Sequence, residues 1–433
     1  MIINKPANNR FVFTLFFMDH MLDKTGISRF MLGQQKMFLS HGISYVSAFI
    51  IRRAYFNDRI EAFNQYGLLV DGEYQGVFSI SQLIERFAGW NRDNIYLLDF
   101  HIHHFLHVKL HDLETFLNFF SDLPVKVYLH DHYTSCISYN LMKNDERYCG
   151  GRGLTAECCS GCSFYKESVK YENKLSSFLK AYIDRIMFIA PSESTREIFS
   201  DFHPEYSGKV RVIPHLKLSG RNPENRTVID DSEPLRIAFL GYPNPRKGWD
   251  VFNRVIERYK NDTGFEFYVF NSDDREYRDM KKIRVQFSEN SMDSMTKALV
   301  ENGIHAVLLW SLWPETYSYV FFESFGANTF VLTYKDSGNL ADATEKYGNG
   351  RVFGNEEELM KYLDNRDSFI KDINSFRTSE ITGPEEQIDN DEILSMISFS
   401  EASGRKTGPV VPDRTNPLLM KVLNHHYDKR FKI

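Results

Sequence analysis

The run Trp313-Pro314-Glu315-Thr316-Tyr317-Ser318-Tyr319-Val320-Phe321-Phe322-Glu323 sets two carboxylates eight positions apart. The first falls in a loop, the second inside an apolar, helix-like stretch. Well upstream, the strand-like Leu235-Arg236-Ile237-Ala238-Phe239-Leu240 runs into Gly241-Tyr242-Pro243-Asn244-Pro245-Arg246-Lys247-Gly248. A Gly-Pro turn carrying two adjacent cations suits a diphosphate. The first amides of a helix beginning near Gly248 or Trp249 would add to that positive field. Two spaced acids suit the hydroxyls of a sugar and a ribose. Together these residues point to chemistry on an activated sugar nucleotide.

Two further clusters hold reactive side chains. Histidines gather in Asp99-Phe100-His101-Ile102-His103-His104 and in His130-Asp131-His132. The first lacks the acid spacing of an H-x-H-x-D-H metal site, and neither belongs to an H-E-x-x-H helix. All five cysteines lie within 27 residues, at 136, 149, 158, 159 and 162. Tetrahedral zinc needs such short chelating loops, and Cys136, Cys149, Cys159 and Cys162 make the expected set, with Cys158 spare. The alternative is a group of unliganded thiols.

Positioning these groups requires a scaffold, and the apolar runs outline one. Phe11-Val12-Phe13-Thr14-Leu15-Phe16-Phe17 has the continuous apolarity of a parallel strand buried on both faces. After Gly26 an amphipathic stretch follows, with Phe30, Met31, Met37 and Phe38. Further strands are expected at Ile95–Leu98, Val125–Leu129, Met187–Ala190 and Val210–Ile213, and Ser192 or Ser194 should cap a helix through Ile198 and Phe199. Beyond a polar, unpatterned stretch, strands are expected at 235–240, Phe265–Phe270, Ala306–Trp310 and Phe330–Thr333. Trp249, Phe252, Val255, Ile256 and Tyr259 share one helical face between the first two. Strands alternating with helices imply α/β domains with parallel sheets, whose ligands bind at the strands' carboxyl ends. The expected division is a first domain over 1–216 with a Cys-rich insert at about 132–165, a linker over 217–234, a second domain over 235–402, and a crossover with a terminal helix over 403–433.

Composition narrows the functional classes. At 433 residues the chain exceeds the usual size of one core. A net charge of −6 argues against a general nucleic-acid binder. Met1-Ile2-Ile3-Asn4-Lys5-Pro6 lacks the order of a signal peptide, and Phe11–Met18 is too short to span a bilayer, so a cytoplasmic location is expected. Lys166, Lys170, Lys174, Lys180 and Arg185 fall in a partly amphipathic stretch, which reads either as a solvated face or as peripheral contact with the inner face of the plasma membrane.

The Gly241…Arg246-Lys247-Gly248 turn, together with Glu315-x7-Glu323, resembles the signature of glycosyltransferase family 4. Gly26-Ile27-Ser28-Arg29 is similar to that family's first glycine-bearing loop, and Val212-Ile213-Pro214 to its strand before the linker. The stretch from His130 to Cys162 resembles a His-Asp-aromatic plus Cys-rich insert found in a subset of bacterial members. The resemblance implies the GT-B fold, two Rossmann-like doubly wound domains facing a cleft. It implies sugar transfer with retained anomeric configuration, from a nucleoside-diphosphate sugar to a glycan or lipid-linked acceptor in bacterial surface polysaccharide synthesis. By the same resemblance Gly26, Gly241, Arg246, Lys247, Thr316, Tyr317 and Ser318 bind the donor, with Lys247, Arg246 and the loop amides around 316–318 at its phosphates, Glu323 at its ribose and Glu315 at its sugar. His130 would stand beside the sugar, and Glu315, His130 and Lys247 would carry the chemistry. His101 and His103 are secondary candidates for acceptor contacts. No cofactor is needed for transfer, and zinc on the cysteines would be structural. One departure stands out: Tyr242 occupies the position where the family often carries arginine. The competing readings are a GT-B-like subunit that binds nucleotide or glycan without transfer, a sugar-nucleotide epimerase, or a phosphorylase.

Overall fold

The computed structural model describes residues 4–54, 60–286, 294–398, 407–408 and 420–424. The first sheet is built from β1 (Arg10–Phe16), β2 (Ser44–Ala54), β3 (Ile60–Val70), β4 (Glu73–Phe78), β5 (Tyr96–Ile102) and β6 (Val125–Tyr128). After a small hairpin, β7 (Met142–Lys143) and β8 (Arg147–Tyr148), it is completed by β9 (Ile186–Ala190) and β10 (Val210–Val212). Its order is β10-β9-β6-β5-β1-β2-β3-β4. Pairing is parallel from β10 through β2, but β2–β3 and β3–β4 are antiparallel, which corrects the expectation of purely parallel sheets. A two-residue turn at Asp71 and Gly72, both with positive φ, lets β3 fold directly onto β4 without a helical crossover.

Helices flank this sheet: α1 (Gly26–Ser40), α2 (Ile80–Arg92), α3 (Leu110–Phe119), α4 (Tyr165–Tyr182) and α5 (Glu193–Phe202). Thr25 Oγ1 caps α1 by accepting from the Ser28 amide, and Ser192 Oγ caps α5 by accepting from that of Thr195. The expected apolar runs supply the core, in which Phe11, Phe13, Phe87, Phe100, Phe116 and Phe188 are almost wholly buried.

The second sheet contains β12 (Leu235–Leu240), β13 (Phe265–Asn271), β14 (Lys281–Arg284), β15 (Ala306–Leu309), β16 (Phe330–Tyr334) and β17 (Gly350–Phe353). Its order is β14-β13-β12-β15-β16-β17, with parallel pairing throughout. With it go α6 (Trp249–Tyr259), α7 (Ser294–Glu301), α8 (Tyr319–Gly326), α9 (Asn339–Tyr347), α10 (Glu356–Asp364) and α11 (Arg366–Thr378). Successive strands run outward on one side of β12 and then resume on its other side at β15. The crevice between those two strands is where open α/β sheets place ligands.

The connection differs from expectation. Residues 217–234 do not form a plain linker: Leu216–Ser219 is β11, paired antiparallel with β18 (Glu386–Asp389). The return to the first domain falls here and not at 403, since Ile393 and Ile397 pack with Val12, Phe38 and Ile189 of the first domain. Most of the crossover expected over 403–417 lies outside the described residues. Within it, Thr407 bridges to Phe120 and the Gly408 amide donates to Phe119 O. Residues 420–424 are helical, and Met420 and Leu423 cover Phe49, Ile51, Leu69 and Val77. Among the described residues no helix is long and apolar enough to cross a membrane.

Candidate active site

The turn after β12 begins at Gly241, whose φ of 96° favours glycine, and an added Cβ there would meet nothing within 4 Å. Pro245–Lys247 form one short 3-10 turn, and Gly248, at φ 83°, leads into α6. A Cβ on Gly248 would stand 2.4 Å from Trp310 O, so the turn is pressed against the end of β15. The two cations of this turn diverge. Lys247 Nζ donates to Glu315 Oε1 at 2.6 Å and lies 5.5 Å from the centroid of the Trp313 ring. Arg246 instead pairs with Asp145 of the β7–β8 hairpin at 3.1 Å.

Glu315 is 5% exposed and sits in the loop after β15. Its amide donates to Ser337 O, and its carbonyl accepts from the Asn339 amide. Gly338 makes this backing possible, because a Cβ there would approach Pro314 Cα and Glu315 O to 2.8 Å. The same loop is stitched to the first domain. Thr316 Oγ1 donates to His130 O at 2.6 Å, His132 Nε2 donates to Pro314 O at 3.0 Å, and Thr195 Oγ1 donates to Thr316 O at 3.3 Å. The carboxyl-end loops of the two sheets therefore face each other and touch.

Glu323 lies on α8 and is 1% exposed. Its Oε1 accepts from Arg29 Nη1 of α1 at 2.6 Å, and Oε2 is buried with no hydrogen-bond partner among the described residues. Loss of water on burial raises the Glu323 carboxyl above its ordinary value, and Arg29 opposes that rise. The Arg29 guanidinium stands 4.1 Å over the Tyr319 ring. Gly26 faces the same ring, at 3.9 Å from the place its Cβ would take. Ser318 Oγ is also buried without a partner at the start of α8, and Tyr317 packs on His215 and Phe322. Orphaned polar atoms in a crevice are costly unless a ligand or water meets them. Among the described residues, Glu323 Oε2 and Ser318 Oγ are two such atoms.

His130 is buried, with Nε2 bonded to His103 Nδ1 at 3.0 Å, so Nδ1 is the ring nitrogen left for a ligand. Burial, and then the nearby His215, push its basicity well below the ordinary value, so the ring is neutral near pH 7. His101 and His103 are fully buried, and His103 stacks between Tyr128 and His130.

The five cysteines are free thiols and, with Leu141, Met142 and Phe202, line one cavity. The Cys158 thiol, expected to be spare, lines it too and contacts Cys149 O at 3.6 Å. Burial and then crowding by neighbouring thiols push Cys149 up to about 11 and Cys159 up to about 12. The donor chemistry suits a soft dication. As folded, however, no group of three or more His, Cys, Asp or Glu side chains among the described residues is arranged to hold a metal.

The turn, the two acids and His130 were thus all named from sequence, whereas Arg29, Thr195 and Asp145 were not given their contacts. Nothing local signals a pair such as Arg29–Glu323, whose members are 294 positions apart.

No protein-family model matches the chain, and no curated protein matches it by sequence. Solved structures do. A glycosyltransferase from Rickettsia africae is 11% identical, with 86% of this chain and 92% of that one covered at a TM-score of 0.51. Sucrose-phosphate synthase from Thermosynechococcus elongatus is 10% identical, with 85% and 92% covered at a TM-score of 0.50. At such identities the likeness establishes architecture, and that architecture is GT-B: two Rossmann-like domains, as in these glycosyltransferases.

Proposed function

We propose that this protein is a retaining glycosyltransferase that moves a sugar from a nucleoside diphosphate to a hydroxyl of a glycan or lipid-linked acceptor, in bacterial surface polysaccharide synthesis. The observation that carries this reading is the Lys247–Glu315 pair at the β12/β15 crevice; Glu323, bonded to Arg29 of the first domain, is the second acid the reading uses. An ammonium has three donors, and Glu315 uses one of them. The others are free for a diphosphate, where fixed positive charge lowers the cost of the departing group's negative charge. Glu323 Oε2 and Ser318 Oγ are buried polar atoms suited to ribose hydroxyls. Glu315 would lie at the sugar, and neutral His130 would offer Nδ1 to a sugar hydroxyl.

In the reaction, the bond from the anomeric carbon to the β-phosphate oxygen breaks. The acceptor oxygen bonds to that carbon from the same face, and the leaving phosphate takes the acceptor's proton. A double displacement would need a carboxylate nucleophile on the opposite face, and the residues named here supply none. The test is a thermal-shift screen against UDP-, GDP-, ADP- and dTDP-sugars, followed by NMR of the product anomer. A raised melting temperature and a retained product are expected. No shift with any of the four overturns the donor reading, and an inverted product overturns retention.

A second reading, a nucleotide- or glycan-binding subunit without transfer, draws on Tyr242 and on the capture of Arg246 by Asp145. It predicts no donor hydrolysis by the isolated protein.

A further inference from the structure

Accepting the donor site just described, one of its groups comes from the opposite domain. Arg29 lies in the first turn of α1, yet its guanidinium spans the cleft to Glu323 Oε1 on α8 at 2.6 Å and covers the Tyr319 ring. We propose that Arg29 is a positioning residue for the donor nucleotide: it aims Glu323 from across the cleft, so that the ribose site is complete only when the two domains are closed.

Three observations carry this. Arg29 takes one carboxylate oxygen and leaves the other, Oε2, buried and open to a hydroxyl. The guanidinium lies 4.1 Å over the Tyr319 ring, and Gly26, three residues earlier, stands at ordinary contact distance from the same ring. Asp389 of β18 fills the space beside Gly33, one turn beyond Arg29 on the same face of α1. A buried carboxylate that loses its only cation takes up a proton, and a neutral acid accepts hydroxyl hydrogens less strongly than a carboxylate. Among the described groups, Arg29 and Tyr319 act on Glu323 itself; Asp389 of β18 acts on Tyr319 and faces Arg29 and Lys36 of α1, and His215 before β11 and Tyr317 face Arg29. Of these Arg29 is the group that both bonds and offsets the Glu323 charge.

The experiment titrates the full chain with UDP, GDP, ADP and dTDP by calorimetry, and carries the tightest forward. Wild type, Arg29→Ala, Arg29→Lys and the double variant Arg29→Ala/Glu323→Gln are then compared from about pH 5.5 to about pH 8.5. The nucleotide's terminal phosphate titrates at about pH 6 in every variant, so each affinity is read against wild type at the same pH. Arg29→Ala should bind on the order of tenfold more weakly than wild type near neutral pH, and that gap should close as pH rises. Arg29→Lys should regain part of the affinity and narrow the gap. The double variant should be weaker than wild type by a factor that does not change with pH, assigning the titration to Glu323. Wild-type affinity at every pH in Arg29→Ala, or tighter binding, overturns the proposal while leaving the donor site standing. Failure of wild type to bind any of the four nucleotides overturns the donor site itself.

Discussion

Lys247 and Glu315 divide their work by exposure. The lysine side chain is 44% exposed and can turn from its partner to a ligand, whereas the acid is 5% exposed and fixed by the Ser337–Asn339 backbone. Lys247→Ala should therefore lower kcat by about 10²–10³-fold, the usual loss when one preorganised charge at a developing anion is removed. The measurement is nucleotide release at saturating donor, with circular dichroism to verify folding, and an undiminished kcat would remove Lys247 from the chemistry. Arg246→Ala is predicted to act differently. Its salt bridge to Asp145 is half-exposed and worth little to stability, so the melting temperature should stay within a degree or so. The residue types were legible from sequence because a cationic Gly-Pro turn and spaced acids have few other uses together. Which partner each charge takes was not, since Arg246–Asp145 and Arg29–Glu323 are set by how two sheets meet.

At the scale of elements, the glycines after β12 separate a local need from a tertiary one. Gly241 and Gly248 both have positive φ, but only Gly248 is pressed against Trp310. Gly248→Ala should cost about 1–3 kcal/mol in urea unfolding from strain and displacement of the β15 end. Gly241→Ala, with open space around it, should cost no more than about 1–2 kcal/mol. Equal losses would show that the Trp310 contact yields freely. The Cys-rich insert is the other element with a distinct expectation. Its thiols crowd one cavity and raise one another's proton affinity, an effect that a bound dication reverses by stabilising thiolates. A structural zinc then predicts about one metal per chain in protein purified without chelators, lost together with thermal stability in Cys159→Ser/Cys162→Ser. Substoichiometric zinc would leave the insert to Lys143, Asn144 and their bonds to Ser160 O and Gly161 O. The spacing of the cysteines could be read from sequence; the inclusion of Cys158 at the cavity could not, because it depends on how the loop closes back on Cys149.

The whole molecule is tuned by burial of neutral imidazoles near the cleft. His20 is pushed down to about 4 and His215 to about 3, chiefly because burial strips the charged form of water. His130 and His103 are driven lower than ordinary for the same reason, with neighbouring imidazoles adding repulsion. In the unfolded chain these groups titrate near about 6.5. Between that value and the folded ones the unfolded state binds more protons, so stability rises with pH across the interval and levels off above it. The penalty thus starts as pH falls below about 6.5 and grows down to about 4. Since His130, His132 and His215 border the contact of the two domains, acid should open that contact before the central strands lose structure. His132 gives up its bond to Pro314 O only if the loops part, and Thr316 Oγ1 then leaves His130 O. Hydrogen exchange at pH 7 and near pH 5 is the check, compared at matched intrinsic exchange. Amides around residues 130–132 and 314–318 should lose protection first, with those of β12 and β13 still protected. Simultaneous loss in both sets would show that acid unfolds the molecule as one unit and that the cleft has no separate opening.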